Sequence, residues 1–165
     1  MKKLNNKGFS LVELIIVIAI MAILVGVVGT QVIPYLENSR KAKDVQILSA
    51  WNTAAVSAYS TEAGNLDSTK TYTIQVDTSI VKEISSPNPA GYDKLVKTFC
   101  ALTDLNESAG YNFQSQMSSK SGKAIKVVKI TINGANGQVV TEVTDVDTGV
   151  YAKAAVTDFD PIENK

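Results

Sequence analysis

Apolar and polar positions divide this chain into three stretches with different periodicities. From Leu14 to Val28 every residue except Gly26 is apolar, and Phe9 to Gly29 makes 21 residues, close to the ~20 that cross ~30 Å of hydrocarbon as a helix. From Leu36 to Asp44 the chain is polar but holds few helix breakers. Ile47, Ala50, Trp51, Ala54 and Ala58 then recur at the i, i+3, i+4 spacing of a helix with one buried face. The pattern predicts one helix from Ser10 to about Glu62, stopping at Ala63-Gly64-Asn65. At 1.5 Å per residue it would be roughly 80 Å long.

Past Gly64 the period shortens. Residues 71–76 read as a strand, and residues 92–103 as a short helix with Leu95, Val96, Phe99, Cys100 and Leu102 beside one another. Residues 124–132, 138–144 and 150–156 are rich in Val, Ile and Thr, and residues 133–137 and 145–149 separate them as turns, so a closing antiparallel meander is expected. Residues 85–91 and 118–123 read as exposed loops. The fold class is therefore α+β: a long N-terminal α-helix, half transmembrane and half amphipathic, packed on a small antiparallel β-sheet head. Trp51 and Tyr59 are expected to pack beneath that head.

One residue breaks the apolar pattern. Glu13 places a carboxylate near the start of the membrane-length helix, and a charge at the bilayer centre costs roughly 2.5–3.5 kcal/mol even on lenient insertion scales. Lys2, Lys3 and Lys7 precede it, a bias that holds the N-terminal end in the cytoplasm and sends the rest outward. Ser10-Leu11-Val12-Glu13 also has the form of a capping box, in which Glu13 satisfies donors of the first turn. A secretory signal peptide is disfavoured, since the apolar run exceeds the usual 7–15 residues and no A-x-A site follows it. An ordinary single-pass anchor leaves the basic leader ending in Gly8 unexplained.

The run Lys7-Gly8-Phe9-Ser10-Leu11-Val12-Glu13-Leu14 resembles the prepilin signal of the type IV pilins and pseudopilins: a basic leader, a Gly, Phe-Ser-Leu-Val-Glu, then an apolar helix. The resemblance covers residues 1 to about 35 closely and the helix to about 63 in character. It implies a leader, 1–8, removed after Gly8 by a membrane-embedded prepilin peptidase that also methylates the new amino group of Phe9. It further implies a filament-core helix, 9–35, an amphipathic half, 36–63, and a globular head, 64–165, in the type IV pilin fold. Phe9 and Glu13 become the assembly residues. An ammonium on Phe9 and a carboxylate on Glu13 each lower their energy in lipid by finding the other on a neighbouring subunit. At about 4 Å and an effective dielectric of about 20 the attraction is of order 4 kcal/mol before desolvation.

The softest part of the helix is expected between Gly26 and Pro34. Pro34 removes a rung of the hydrogen-bond ladder, and Gly26, Gly29, Thr30 and Gln31 are weak helix formers in water. A segment that kinks, or that loses helicity in a stretched filament, is the expectation, with a static kink as the alternative. The related pilins often carry a helix-breaking Gly and Pro in this region, though Pro34 lies further along than usual.

Charge adds little. Lys and Arg number 16 and Asp and Glu 16; without the three leader lysines 13 basic face 16 acidic side chains, about minus three. Nucleic acid is thus not an expected partner, and Lys120, Lys123, Lys126 and Lys129 read as a solvated strand edge. Cys100 is the only cysteine, so no intrachain disulfide forms. That departs from many Gram-negative pilins and fits those of Gram-positive bacteria. With no histidine to act as a base, Cys100 reads as a core residue rather than a nucleophile. Asp145, Asp147 and Gly149 resemble the start of a calcium loop, but its twelve-residue pattern and terminal Glu are missing, so acidic turn residues are the preferred reading. Asn106-Glu107-Ser108 is formally a glycosylation sequon.

No catalytic constellation is present and no cofactor is expected. The expected function is that of a structural subunit: a membrane-anchored precursor with its head outside, assembled with copies of itself by an assembly platform and ATPase into an extracellular helical filament for adhesion, motility or aggregation. Two alternatives stand beside it. One is a minor pilin acting as adhesin or DNA receptor, the other a pseudopilin of a type II secretion or competence system.

Overall fold

The computed structural model describes residues 9–77, 81–83, 91–105, 112–144, 159 and 161–163, with the side chains of 81–83 excepted. Helix α1 runs Leu11–Glu62, 52 residues, with Pro34 inside it, and ends in a 3₁₀ turn, Ala63–Asn65. The remaining elements are β1 (Thr71–Asp77), β2 (Val81–Glu83), α2 (Tyr92–Thr103), a 3₁₀ turn Phe113–Gln116, α3 (Lys120–Ala124), β3 (Val127–Asn133), β4 (Val139–Thr144) and β5 (Ile162–Glu163). The chain divides into two compact units between Ser39 and Arg40.

The first unit is apolar helix with its side chains outward on every face. Leu14, Ile18, Ile23 and Val27 are all more than half exposed, which is the surface a lipid-facing or bundle-forming helix presents. Among the described residues it is the one helix long and apolar enough to cross a membrane.

In the second unit the last turns of α1 lie in one core with an antiparallel sheet and α2. The sheet order is β2-β1-β3-β4-β5. Alternation sends Tyr72, Ile74 and Val76 of β1, Val128, Ile130 and Ile132 of β3, and Val139 of β4 into the core, and the register Tyr72↔Ile132, Ile74↔Ile130, Ile132↔Val139 puts them in rows. Leu48, Trp51, Ala55 and Ala58 meet that core from α1, and Tyr92, Leu95, Phe99 and Cys100 from α2. Trp51 stands edge-on to Phe113 with centroids 5.8 Å apart, and Tyr72 stacks on Tyr92 at 6.1 Å with Tyr59 tilted against it at 6.2 Å. The phenol of Tyr92 also donates to the Thr73 carbonyl.

The α+β architecture holds as expected, as do α1, α2, β1, the core positions of Trp51, Tyr59 and Cys100, and the β3–β4 turn. That turn is built by Asn133, whose side chain accepts from Ala135 N (3.0 Å), and by Gly137 at φ 70°. Other details differ. The buried stripe of α1 is rotated to Asp44, Leu48, Trp51, Asn52, Ala55 and Ala58, leaving Ala50 exposed. The apolar count missed it because two of its members are polar. The strand expected over 124–132 begins only at Val127, because residues 118–123 form no exposed loop. Ser119 caps α3 there and is fully buried. The sheet is also more than a C-terminal meander, since β1 pairs with β3 along its whole length. Of the expected loop 85–91 only Gly91 is described, and the sequon 106–108 and strand 150–156 lie outside the described residues.

Two polar hooks on the buried face of α1 explain the rotation. The Asp44 carboxylate, fully buried, accepts from Ser118 N (2.7 Å), Ser119 N (2.9 Å) and Ser119 Oγ (2.5 Å). Gly122 packs directly on it, and a Cβ there would collide with the carboxylate. Two turns on, Asn52 Nδ2 donates to Val139 O (3.2 Å), Thr141 Oγ1 (3.1 Å) and Ile162 O (3.0 Å), joining α1, β4 and β5 through one atom. Burial of these groups is tolerable because each is hydrogen-bonded. Asp44→Ala strands three donors, two of them fully buried on Ser119, so unfolding of the full chain in detergent, followed by the emission of its single tryptophan, Trp51, should show a loss of about 3 kcal/mol or more.

Tyr72 adds a pH limit. Its phenol accepts from Asp67 N (2.6 Å) and donates to Asp67 O (3.1 Å), and burial raises its pKa above the ordinary value of 10.0. The fold thus favours the neutral phenol. The associated stability is fully present below pH 10 and is lost as pH rises from there through the folded-state pKa. Tyr72→Phe should flatten the alkaline limb of the stability profile while lowering the neutral plateau by the lost hydrogen bonds.

Candidate functional site

The site begins where α1 begins. Ser10 precedes the helix: its hydroxyl accepts from Val12 N at 3.3 Å and its carbonyl from Leu14 N at 3.2 Å. Glu13, at the third helical position, folds back and accepts from Ser10 N at 2.9 Å. This is the reciprocal logic of a capping box, in which side chains satisfy N–H groups that the first turn cannot pair. Glu13 also lies at the positive end of the helix dipole. Among the described residues Ser10 N is its one partner. The carboxylate is thereby held one residue from Phe9, whose ring is 91 % exposed. Gly8 lies outside the described residues.

Chemically, the arrangement presents a carboxylate beside the backbone of Ser10, at the end of an apolar helix. An ammonium created on Phe9 would leave a cation and an anion on the same first turn. The capping bond engages one face of the Glu13 carboxylate, so capping and pairing with a second chain are compatible.

Further along, Gly26, Gly29 and Pro34 sit within continuous helix. Open space surrounds both glycines. Thr30 Oγ1 donates back to Gly26 O (3.3 Å) and Val27 O (3.1 Å), the local bonding by which a Thr hydroxyl is satisfied in an apolar helix.

The other candidates do not gather. Lys129 sits on β3, an interior strand, and pairs with Glu142 on β4 at 3.6 Å, while Lys120 and Lys123 are on α3. The strand-edge reading of these lysines is therefore corrected: β3 has neighbours on both sides. Asp145 and Asp147 lie outside the described residues, and among the described residues no group of acidic, His or Cys side chains could hold a metal.

Residues 3–29 match the family model of the prokaryotic N-terminal methylation motif. The chain carries a prepilin signal. No curated protein and no solved structure matches it. The motif supports a subunit of pilin or pseudopilin type, a substrate of the prepilin peptidase and methylase rather than a member of an enzyme family. With the apolar helix it is consistent with a membrane-anchored precursor.

Sequence reasoning missed Asp44 and Asn52. The signal for them was an acidic and an amide residue in register with Leu48, Trp51, Ala55 and Ala58. For the helix itself, Pro34→Ala restores a backbone N–H and should slow amide exchange across residues 30–36 by about tenfold or more in detergent-solubilised chain. Unchanged exchange would rule out Pro34 as the source of local softness.

Proposed function

We propose that this chain is the structural subunit of a type IV pilus, cut after Gly8, N-methylated on Phe9 and assembled into a helical surface filament. The observation that carries the reading is the prepilin signal joined directly to a helix that exposes apolar side chains on all faces and carries Glu13 in its first turn. Before assembly the helix lies in the membrane, with the head outside. Transfer from lipid to a bundle of like helices exchanges one apolar environment for another, so packing and polar pairs set the geometry. Glu13 of an incoming subunit and methylated Phe9 of one already in place form such a pair.

Retention of Glu13 favours a subunit that is added repeatedly, since each addition uses the carboxylate again. An assembly platform and its ATPase supply the work of extraction, and adhesion, motility or aggregation follows from the finished fibre. The partners are other copies of the chain.

Mass spectrometry of the N-terminus of sheared surface material, with electron microscopy of the same samples, tests this. N-methylated Phe9 in abundant thin fibres that Glu13→Ala abolishes is the expected result. Retention of residues 1–8 in a protein that stays with the membrane would overturn it in favour of a single-pass anchored domain.

A further inference from the structure

Between Glu13 and Glu37, Gln31 is the one side chain that carries an amide, and it makes no hydrogen bond to any described residue. It lies three residues before Pro34. A proline at that position supplies no N–H to the carbonyl four residues earlier, here that of Thr30. The Thr30 hydroxyl does not compensate, because it donates to Gly26 O and Val27 O. One turn of an otherwise apolar helix thus holds a carbonyl without its helical donor and, on the next residue, an amide whose two N–H groups are unused. In an apolar environment both are costly, and neighbouring helices are a recognised source of the missing partner.

We infer that Gln31 of one copy donates to the Thr30 carbonyl of a second copy of this chain. The occupant is a second copy because donor and acceptor are both present in the one sequence, at the same height on the helix. Gly26 and Gly29, with nothing within 4 Å of a built Cβ, leave room for the close backbone approach such a bond needs. Successive residues stand about 100° apart around a helix, so donor and acceptor face different directions. Each chain then gives on one side and receives on the other. Such a contact is heterologous, and a heterologous contact that does not close on itself generates a helical array rather than a dimer. The inference rests on the filament reading and specifies one of its contacts.

Full-length chains carrying Gln31→Leu, Pro34→Ala or both provide the test. Leucine is the more apolar and the better helix former, so a general effect on insertion or helicity would favour the variant. The expected result is roughly three- to thirtyfold faster release of subunits from Gln31→Leu fibres in mild detergent. In the Pro34→Ala background, where the restored backbone N–H already serves the Thr30 carbonyl, Gln31→Leu should have no further effect. Fibres of Gln31→Leu that match the wild type, or an equal loss in both backgrounds, overturn the inference. Co-expressed Cys100→Ala/Gln31→Cys and Cys100→Ala/Thr30→Cys chains give a readout that needs no fibre, a disulfide-linked dimer of the two variants on oxidation of membranes. If the wild type forms no fibres, the filament reading fails, and the presence or absence of that dimer decides the contact by itself.

Discussion

Every polar backbone group removed from water must find a partner, and this requirement shapes both halves of α1. In hydrocarbon the cost of an unmet N–H or C=O is several kcal/mol, so a spanning segment has to close its own ladder. The chain does so with few interruptions from Leu11 onward. At the open end, Ser10 and Glu13 serve the first-turn donors. Glu13 thus answers a local need even in a single chain, which would offset part of the cost of its charge in a membrane. At the far end of the apolar run Pro34 reopens the ladder, since it has no N–H for the Thr30 carbonyl, and the Thr30 hydroxyl is engaged by Gly26 O and Val27 O.

The same requirement acts in water-soluble form in the second unit. Helix α1 does not meet the sheet through an apolar stripe alone, because Asp44 and Asn52 occupy the buried face and carry hydrogen bonds to segments far away in sequence. Apolar packing is non-directional and could accept a small rotation of α1 on the sheet. Two buried polar hooks could not, since slippage would strand a carboxylate and an amide in the core at a cost that apolar contacts do not recover. With no second cysteine available for a staple, these hooks supply the long-range links that hold α3 and the C-terminal strand against the helix.

Much of this was legible from sequence, for identifiable reasons. The membrane-length run, the end of α1 near Glu62 and the helix Tyr92–Thr103 follow from strong periodicity bounded by breakers. The prepilin signal is contiguous, so it survives without knowledge of three-dimensional neighbours. What was not legible depended on pairing at a distance. The face of α1 that is buried could not be read from apolar spacing once Asp44 and Asn52 belonged to it. Likewise Ser118 and Ser119 looked like solvent-exposed loop residues, because their partner lies more than seventy residues earlier. The partnership of β1 with β3 crosses all of α2, a separation to which local patterning is blind.

An apolar helix that is uniform around its circumference has a further problem: it can pack, but its packing does not specify depth. Residues 14–28 offer only aliphatic side chains, Met21 and Gly26, and sliding one such helix past another by a turn costs little, because similar side chains meet at each step. Polar groups at the ends of the run remove that freedom. Phe9 and Glu13 lie at one end and Thr30 and Gln31 at the other, some twenty residues or roughly 30 Å apart. Each pair contains a donor and an acceptor, with Phe9 and Glu13 one turn apart on one face and Thr30 and Gln31 about 100° apart around the helix. In the proposed filament two such pins, one at each end of a featureless stretch, would fix depth and rotation together. Under that proposal the apolar residues would supply adhesion between subunits and four polar positions the geometry.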